Sequence, residues 1–443
     1  MQNTIDKLYE SYLISRNVTT DSRTVTAESL FFALKGSNFD GNAFVPSALD
    51  RGAAICVTSD SRFASHPHCV VVDDVLATLQ DLARYHRQHL TIPIVAITGT
   101  NGKTTTKELL AAVLSRRYKV HATSGNHNNH LGVPLTMLSM PHDCEIAVVE
   151  MGANHPGEIA DLCNIARPDY GLITSVGKAH LEGFGSFEGV VRTKTELYRF
   201  LDSRGGTIFV NADNEILMSE AGKCANAAVM IYGSADNAAL ERKSCKTVAT
   251  ATYIGSNPYM NFYTEDGDLV YNISTQLFGG YNYGNALAAL AVGRFFKVDF
   301  FDVKQAIEQY RPDNNRSQLK RTERNQLLMD CYNANPTSME AAVRSFAQMQ
   351  ATHRVVMLGG MKELGEQSVA EHHRIFDMLM QCGFDKVVLI GEEFAFAQKQ
   401  PGVLWFADSK AACGHFAAEP LQGATILLKG SNGTRMWILE DVL

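Results

Sequence analysis

Ile94-Val95-Ala96-Ile97-Thr98-Gly99-Thr100-Asn101-Gly102-Lys103-Thr104-Thr105 couples an unbroken apolar run to a glycine-rich turn. The run Ile94-Ile97 has no polar alternation, so it reads as a strand covered on both faces, the habit of parallel sheets inside α/β proteins. The turn after it opens a helical stretch, Thr104-Arg117. Glycines there let backbone N–H groups curl around a phosphate, and the helix N-terminus adds partial positive charge. Lys103 can reach the β/γ-phosphates of a nucleotide, and Thr104 offers a hydroxyl to Mg²⁺. The G-x-x-x-x-G-K-[ST] pattern is complete except at its start, where Ile97 stands in place of the first glycine.

On either side the same alternation continues. Ile146-Val149 before Glu150, Leu172-Ile173, and Ile208-Val210 before Asn211 read as further strands, with Phe187-Leu201 as a helical stretch between them. The fold class is therefore α/β, a central phosphate-loop sheet, mostly parallel and flanked by helices, with its ligand expected at the strands' carboxyl ends. After Pro312 a second alternation (Gln326-Met329, Val355-Leu358, Lys386-Ile390, Thr425-Leu428) with helices Ser338-Gln350 and Ser368-Met380 predicts a Rossmann-like α/β C-terminal domain. Before Ile94, the segments Ser29-Leu34, Ala54-Thr58 and Val70-Val72 with a closing helix Val75-His89 predict a small mixed α/β N-terminal domain. Thr91-Ile92-Pro93 is a link, because the residue before proline is biased out of the helix. The expected division is 1–90, 91–311 and 312–443, in keeping with 443 residues at about 150 per domain.

Composition excludes several classes. Hydrophobic residues at 45% and charged residues at 20% describe a globular chain rather than a disordered one. A formal net charge of −7 without long runs of one sign gives no reason to expect nucleic acid or an anionic membrane as partner. Nine scattered cysteines, none in a C-x-x-C pair, suit reduced thiols. Met1 to Ser15 carries Asp6 and Glu10 and lacks a signal peptide's basic start and apolar stretch. With no apolar run near the ~18 residues of a membrane span, no membrane insertion is expected, and the prediction is a cytoplasmic protein.

Other residues carry two readings each. Glu150, at the end of a neighbouring parallel strand, is either a metal-holding acid or a solvated strand end. Lys194 shares a helical face with Val190, Val191, Leu197, Tyr198 and Leu201. It either snorkels to water or is buried with a lowered pKa, and a neutral buried amine can react with CO₂ to give a metal-ligating carbamate. His180, in the loop Lys178-Ala179-His180-Leu181-Glu182-Gly183, is a metal or phosphate contact or a structural loop histidine. Asn282 either caps the Ala-rich helix after it or binds a base. Asn333-Ala334-Asn335-Pro336-Thr337-Ser338 is a strand-to-helix connection with ordinary turn and N-cap chemistry as its plainest role.

Taken in order along nearly the whole chain, these segments resemble the Mur ligase family of bacterial cell-wall synthesis. The resemblance runs from Asp21-Ser22-Arg23 and Leu30-Phe31-Phe32-Ala33-Leu34-Lys35-Gly36 through Phe39-Asp40-Gly41, then the T-G-T-N-G-K-T-T loop and Gly125-Asn126-His127-Asn128-Asn129-His130-Leu131-Gly132-Val133-Pro134. Glu150 to Glu158, Asp330-Cys331-Tyr332-Asn333-Ala334-Asn335-Pro336 and Leu428-Lys429-Gly430-Ser431-Asn432-Gly433 complete it. Two segments depart from the family pattern: Asp313-Asn314-Asn315-Arg316 replaces P-G-R, and Gly359-Gly360-Met361 stands where G-D-M is common.

The resemblance implies ATP-dependent amide bond formation through an acyl phosphate, joining D-Ala-D-Ala to a UDP-N-acetylmuramoyl tripeptide whose third residue is diaminopimelate or lysine. It implies ATP and Mg²⁺ as cofactors, a carbamylated lysine at Lys194, and a monomer that closes by hinges near 91–93 and 311–313. Lys103, Lys194 and His180 are then catalytic. Gly99, Thr100, Asn101, Gly102, Lys103, Thr104, Thr105, Asn282, Arg316 and Asp330 bind ATP, while Thr104, Glu150, His180 and carbamylated Lys194 hold metal. Ser22, Arg23, Lys35, Gly36, Asp40, Gly41, Asn126, Asn128, Asn129, Asn333 and Asn335 meet the substrates. The competing expectations are a ligase for a single amino acid, a folylpolyglutamate synthase, and, outside enzymes, a nucleotide-binding regulator.

Overall fold

The computed structural model describes residues 2–241 and 245–443. Ile94–Thr98 lies between Ile146–Glu150 and Tyr170–Ile173, parallel to both, in a nine-stranded sheet. Its side chains divide by parity, as a pleated strand requires. Ile94, Ala96, Ala147, Val149, Ile208 and Val210 share one apolar cluster with residues of the helices Val75–Gln88, Gly132–Leu138 and Glu158–Ala166. Val95, Ile97, Ile146, Val148, Leu172 and Phe209 share another with Lys103–Leu114 and Tyr283–Phe295. The chain leaves Ile94–Thr98 for one side of the sheet, to Val120–Ala122 and Ile146–Glu150, and returns to the other at Tyr170–Ile173. The loop after Ile94–Thr98 therefore opens at the point where strand order reverses, where open α/β sheets take their ligands.

Beyond Thr207–Asn211 the sheet continues through Ala228–Ser234, Lys246–Ser256, Tyr259–Asp266 and Leu269–Phe278, the last three paired antiparallel. The sequence reading named none of these four strands. They are half exposed and interrupted by register shifts at Ile231/Tyr232, Tyr253/Gly255 and Tyr259/Asn261, so their apolar residues lack the continuous runs of the buried strands.

Several helices differ from their expected bounds, among them the expected Ser338-Gln350, which runs Pro336–Gln348, two residues earlier, because Asn335 caps it. The phosphate-loop helix runs Lys103–Leu114, ending three residues before the expected Arg117. The stretch Phe187-Leu201 is two helices, Phe187–Lys194 and Glu196–Ser203. Thr195 stands at the break, its hydroxyl donating back to Val191 O at 2.8 Å, a bond that competes with regular helix.

The first sheet is four-stranded and parallel, Val18–Thr19, Leu30–Phe32, Ile55–Thr58 and Cys69–Val71. Val75–Gln88, N-capped by Asp74, packs Leu79, Leu82 and Ala83 into the cluster that also covers one face of the central sheet. Arg87 at its end, 8% exposed, donates to Ala166 O at 3.0 Å, Arg167 O at 3.0 Å and Leu90 O at 2.9 Å, and pairs with Asp169 at 2.9 Å. The third sheet has six strands in the order Gln318–Arg321, Gln326–Asp330, Thr425–Lys429, Arg354–Gly359, Lys386–Ile390 and Val403–Phe406, parallel except for the first. Among the described residues no helix is long and apolar enough to cross a membrane.

Arg87→Ala removes the donors of several carbonyls at the link between the first two units. Each carbonyl left unpaired costs about 1–3 kcal/mol, so a clearly lowered Tm in a thermal melt is expected, and an unchanged Tm would contradict this role.

Candidate active site

Gly99 (φ +146°) and Gly102 (φ +82°) hold the loop in backbone conformations that side chains resist. A Cβ at Gly99 would come within 2.1 Å of Thr174 Oγ1, and one at Gly102 within 2.3 Å of Asn285 Oδ1. The loop is fastened from outside: Thr100 N donates to Ser175 O at 2.8 Å, Asn101 N to Ser175 Oγ at 3.0 Å, and Thr174 Oγ1 to Asn101 O at 2.6 Å. Within the helix the first bond is Thr106 N to Gly102 O, so the preceding N–H groups have no intrahelical acceptor. They line a cavity of about 960 Å³ that also reaches Glu150, His180, Asn282, Arg316, Asp330 and Asn333. Lys103 folds back, its Nζ donating to Gly99 O at 2.8 Å and Thr100 O at 3.1 Å. Burial pulls its pKa down, Glu150 opposes that shift, and Arg316 adds to it.

Glu150 is 1% exposed. Its Oε1 accepts from Asn128 Nδ2 at 2.7 Å and from Thr104 Oγ1 at 3.3 Å, while Oε2 is buried with no protein partner. An orphaned carboxylate oxygen beside a threonine hydroxyl, at the mouth of a phosphate loop, fits a hard divalent cation that takes its remaining ligands from phosphates and water. The solvated-strand-end reading of Glu150 fails on burial.

Lys194 is buried and not snorkelled, at 2% exposure. Its Nζ donates to Ala153 O at 3.2 Å and lies 5.3 Å from the centroid of the Phe184 ring. Burial and then repulsion from Lys103 bring its pKa down to about 7, against weaker opposing pull from Glu158 and Glu196. A large share of the amine is thus neutral near neutral pH. Glu196, missed from sequence, accepts from Gly157 N at 2.8 Å and Ala160 N at 2.9 Å, fixing the start of Glu158–Ala166. His180 has φ +50° and brings Nδ1 against a carboxylate oxygen of Glu363 in the third sheet's unit without an aligned hydrogen bond, leaving Nε2 for any other partner. Burial lowers its pKa, with Glu363 pulling the other way.

The unit around the third sheet reaches the loop at several points. Asn335 Nδ2 donates to Asn101 Oδ1 at 2.7 Å, and Asn101 Nδ2 to Asn335 Oδ1 at 3.3 Å. Lys178 pairs with Glu371 at 2.8 Å. Asn335 Oδ1 also accepts from Ser338 N at 2.9 Å in a capping box that starts Pro336–Gln348, so N-cap chemistry accounts for much of this amide. Asn333 is exposed at the cavity with its Oδ1 on Ala334 N. Asn282 makes no side-chain cap. Its amide donates to Phe278 O at 2.8 Å and accepts from Asn285 at 2.9 Å, and it lines the cavity at 2% exposure. Asp330 is held by Lys429 at 2.6 Å and by Ser317 N at 3.2 Å. The buried Lys429 was not singled out from sequence, where it was one residue of a terminal match.

Both departures from the family pattern have a structural account. Asn315 takes φ +56° where glycine is usual, and asparagine is among the few other residues at ease there. Arg316 accordingly still lines the cavity, its guanidinium 3.8 Å from the centroid of the Tyr332 ring and its Nε buried without a partner. A Cβ at Gly360 would meet Glu393 Oε2 at 2.4 Å, so the Glu393 carboxylate fills the space an acid at 360 would need.

Asn126, Asn128 and Asn129 all line the cavity. Asn129 Oδ1 is engaged by Leu131 N at 3.1 Å and Gly132 N at 2.9 Å. Ser22, Arg23, Lys35, Gly36, Asp40 and Gly41 lie apart from it, around the first sheet. Arg23 pairs with Asp21 at 2.7 Å, Lys35 lies 3.9 Å from Asp40, Gly36 N donates to Phe39 O at 2.9 Å, and Gly41 packs where a Cβ would strike Leu34 O.

A phosphate-loop α/β unit with a second sheet-bearing unit docked over its loop is the class that fold and site define. The models of the Mur ligase family, catalytic domain, of the Mur ligase middle domain and of the Mur ligase, glutamate ligase domain match residues 15–91, 97–293 and 315–432. The chain is 35% identical to the UDP-N-acetylmuramoyl-tripeptide–D-alanyl-D-alanine ligase of Escherichia coli, over 95% of this chain and 91% of that one. The structure superposes on MurF from Acinetobacter baumannii with a TM-score of 0.85 at 29% identity, covering 96% of this chain and 92% of that one. On the MurF ligase from Thermotoga maritima, solved with ADP, the TM-score is 0.83 at 27% identity, covering 97% of both. The chain belongs to the Mur ligase family.

In CO₂-depleted buffer Lys194→Met should raise Tm near pH 7. Burial holds the Lys194 pKa at about 7, below the ordinary lysine value of 10.5, so below pH 7 the charge is buried at full cost, on the order of 5 kcal/mol. Between pH 7 and 10.5 the unfolded chain binds more protons than the folded one, so this cost fades as pH rises. The gap between variant and parent should therefore shrink toward pH 10; a gap that widens would show the lysine is not buried as a cation.

Proposed function

We propose that the protein joins D-Ala-D-Ala to UDP-N-acetylmuramoyl tripeptide in an ATP-dependent amide-forming reaction of peptidoglycan synthesis, releasing ADP and phosphate. The observation that carries this reading is the single cavity of about 960 Å³ in which the phosphate loop, Glu150 with its unpaired oxygen, Arg316 and the exposed Asn333 meet. A carboxylate oxygen of the tripeptide attacks the γ-phosphorus, the bond to the β-phosphate oxygen breaks, and an acyl phosphate forms. The dipeptide amine then attacks the acyl carbon, the C–O bond to phosphate breaks, and the amine's proton is lost.

Each assigned residue has a part in that sequence. Gly99 to Thr105 cradle the phosphates, and Lys103 turns from its loop carbonyls to neutralise the transferring group, where positioning and electrostatics supply most of the rate. Thr104, Glu150, His180 through Nε2, and Lys194 as a carbamate would hold Mg²⁺, which when bound offsets charge on the phosphoryl oxygens. The low pKa of Lys194 and its apolar surroundings favour the neutral amine that carbamate formation requires. Arg316, Asn282 and Asp330 border the nucleotide; Asn126, Asn128, Asn129, Asn333 and Asn335 border the acyl acceptor side. Residues 1–90, through Ser22, Arg23, Lys35, Gly36, Asp40 and Gly41, take the uridine nucleotide, 91–311 take ATP, and 312–443 close over both. The chain acts as a cytoplasmic monomer.

Lys103→Ala and Thr104→Ala should each cut phosphate release by roughly 100-fold or more with an unchanged circular dichroism spectrum. Normal turnover in either folded variant would remove the nucleotide assignment. Lys194→Ala should be inactive and regain part of its rate with added acetate or formate, whereas full activity of the variant would refute the carbamate. For the acceptor, kcat/KM for D-Ala-D-Ala is compared with D-Ala, L-Lys, diaminopimelate and L-Glu. A site that pairs a peptide group rejects amines lacking it by about 1–3 kcal/mol per unmatched group, so a single amino acid matching the dipeptide would overturn the specificity.

A further inference from the structure

Glu108 belongs to the phosphate-loop helix Lys103–Leu114, about 7.5 Å along its axis from Lys103, yet it does not line the nucleotide cavity. Its carboxylate is spent on the connector to the third sheet: Oε2 accepts from Tyr310 OH at 2.6 Å and Oε1 from Asn314 Nδ2 at 3.0 Å. Lys107, 5% exposed, brings its ammonium to 3.7 Å of Glu108 Oε1. Burial and the adjacent carboxylate push the Tyr310 phenol up, which keeps it a standing donor. Tyr310 closes the helix Phe300–Gln309 and Asn314 stands two residues before Arg316, so the two bonds bracket the hinge expected at 311–313.

The residues on both sides of Arg316 are fastened in turn, to the third sheet's unit through Cys331 and Asp330 and to the central unit through Tyr281. Asn315 O accepts from Cys331 N at 3.0 Å, Ser317 N donates to Asp330 Oδ1 at 3.2 Å, and Ser317 Oγ lies 2.7 Å from Tyr281 OH. Between these anchors Arg316 projects over Tyr332 with its Nε buried and unpaired. The bond from Asn314 is a property of this chain, since a proline at that position would bring no side-chain donor and no N–H.

We propose that Glu108 is a positioning residue for Arg316: by holding Tyr310 and Asn314 it ties the connector to the phosphate-loop helix, so that loop occupancy and placement of the Arg316 guanidinium are coupled. The proposal rests on the ATP-dependent reading of the site. Glu108 touches no substrate and acts only through the connector.

The test is a double-variant cycle with Glu108→Ala, Arg316→Ala and both together, on the full chain. Equilibrium binding of an ATP analogue with an unreactive β–γ bridge is read by calorimetry, with KM for ATP and kcat from phosphate release. Each single variant should weaken analogue binding and raise KM roughly tenfold, the loss of one charge-assisted contact, and the double variant should match Arg316→Ala within about twofold. Glu108→Gln, which keeps one acceptor oxygen, should recover part of the loss. Effects that multiply in the double variant, or analogue binding unchanged in folded Glu108→Ala, would overturn the proposal. If Glu108→Ala does not fold, Tyr310→Phe and Asn314→Ala remove the same bonds singly, and each must weaken binding in the Arg316 background-dependent way. Because analogue binding is measured apart from ligation, a parent protein that binds the analogue but does not use D-Ala-D-Ala would remove the acceptor assignment while leaving the coupling to be judged by the cycle.

Discussion

Lys194 sits buried and Lys103 half-buried within electrostatic reach of one another, and Arg316 adds to the field on Lys103. Glu150 answers only part of that charge, with one oxygen already shared between Asn128 and Thr104. Like charges brought together out of water are costly, and removing that cost requires either deprotonation or an anion. A polyphosphate would supply the anion, and the carbamate proposed for Lys194 would replace one of the cations by an anion.

The same economy of charge organises the meeting of the two larger units. Contacts across the cleft include the Asn101–Asn335 amide pair, Lys178 with Glu371, and His180 with Glu363, while at its base Phe278 and Tyr281 of the central unit pack into the apolar cluster of the third unit. The polar contacts can exchange with water as the surfaces part and meet again, and the apolar contact of Phe278 and Tyr281 supplies a fixed side about which they would turn. Asn335 illustrates the double use of one side chain, capping the helix Pro336–Gln348 and bonding to the phosphate loop. Any shift of that helix is felt at Asn101, one residue before Gly102.

The N-terminal sheet enters this arrangement indirectly. Its helix Val75–Gln88 lies in the apolar cluster that covers the central sheet, and Gln80 and Arg84 on that helix line the nucleotide cavity. The first unit is therefore coupled to the second by packing, while its own exposed pair Lys35 and Asp40 and the Arg23–Asp21 bridge stay at the surface around the first sheet.

Local chemistry was legible in the residues. The run Ile94–Thr98 with Gly99 and Gly102 dictates a buried strand and a phosphate-cradling turn, because side-chain volume and backbone conformation are properties of the residues themselves. The half-exposed strands Lys246–Phe278 were not legible, since their pairing depends on partners across the sheet more than on local periodicity. Neither was the fate of Lys194: its apolar stripe allowed both snorkelling and burial, and only the fold, by bringing Ala153, Phe184 and Lys103 around it, settled on burial. Asn335, Asn282 and Glu108 follow the same rule, since an amide or carboxylate declares what it can bond but not what will be within 3 Å of it. Hydrogen bonding and desolvation act over distances that the chain closes only on folding, so residue type determined the repertoire and tertiary contact selected from it.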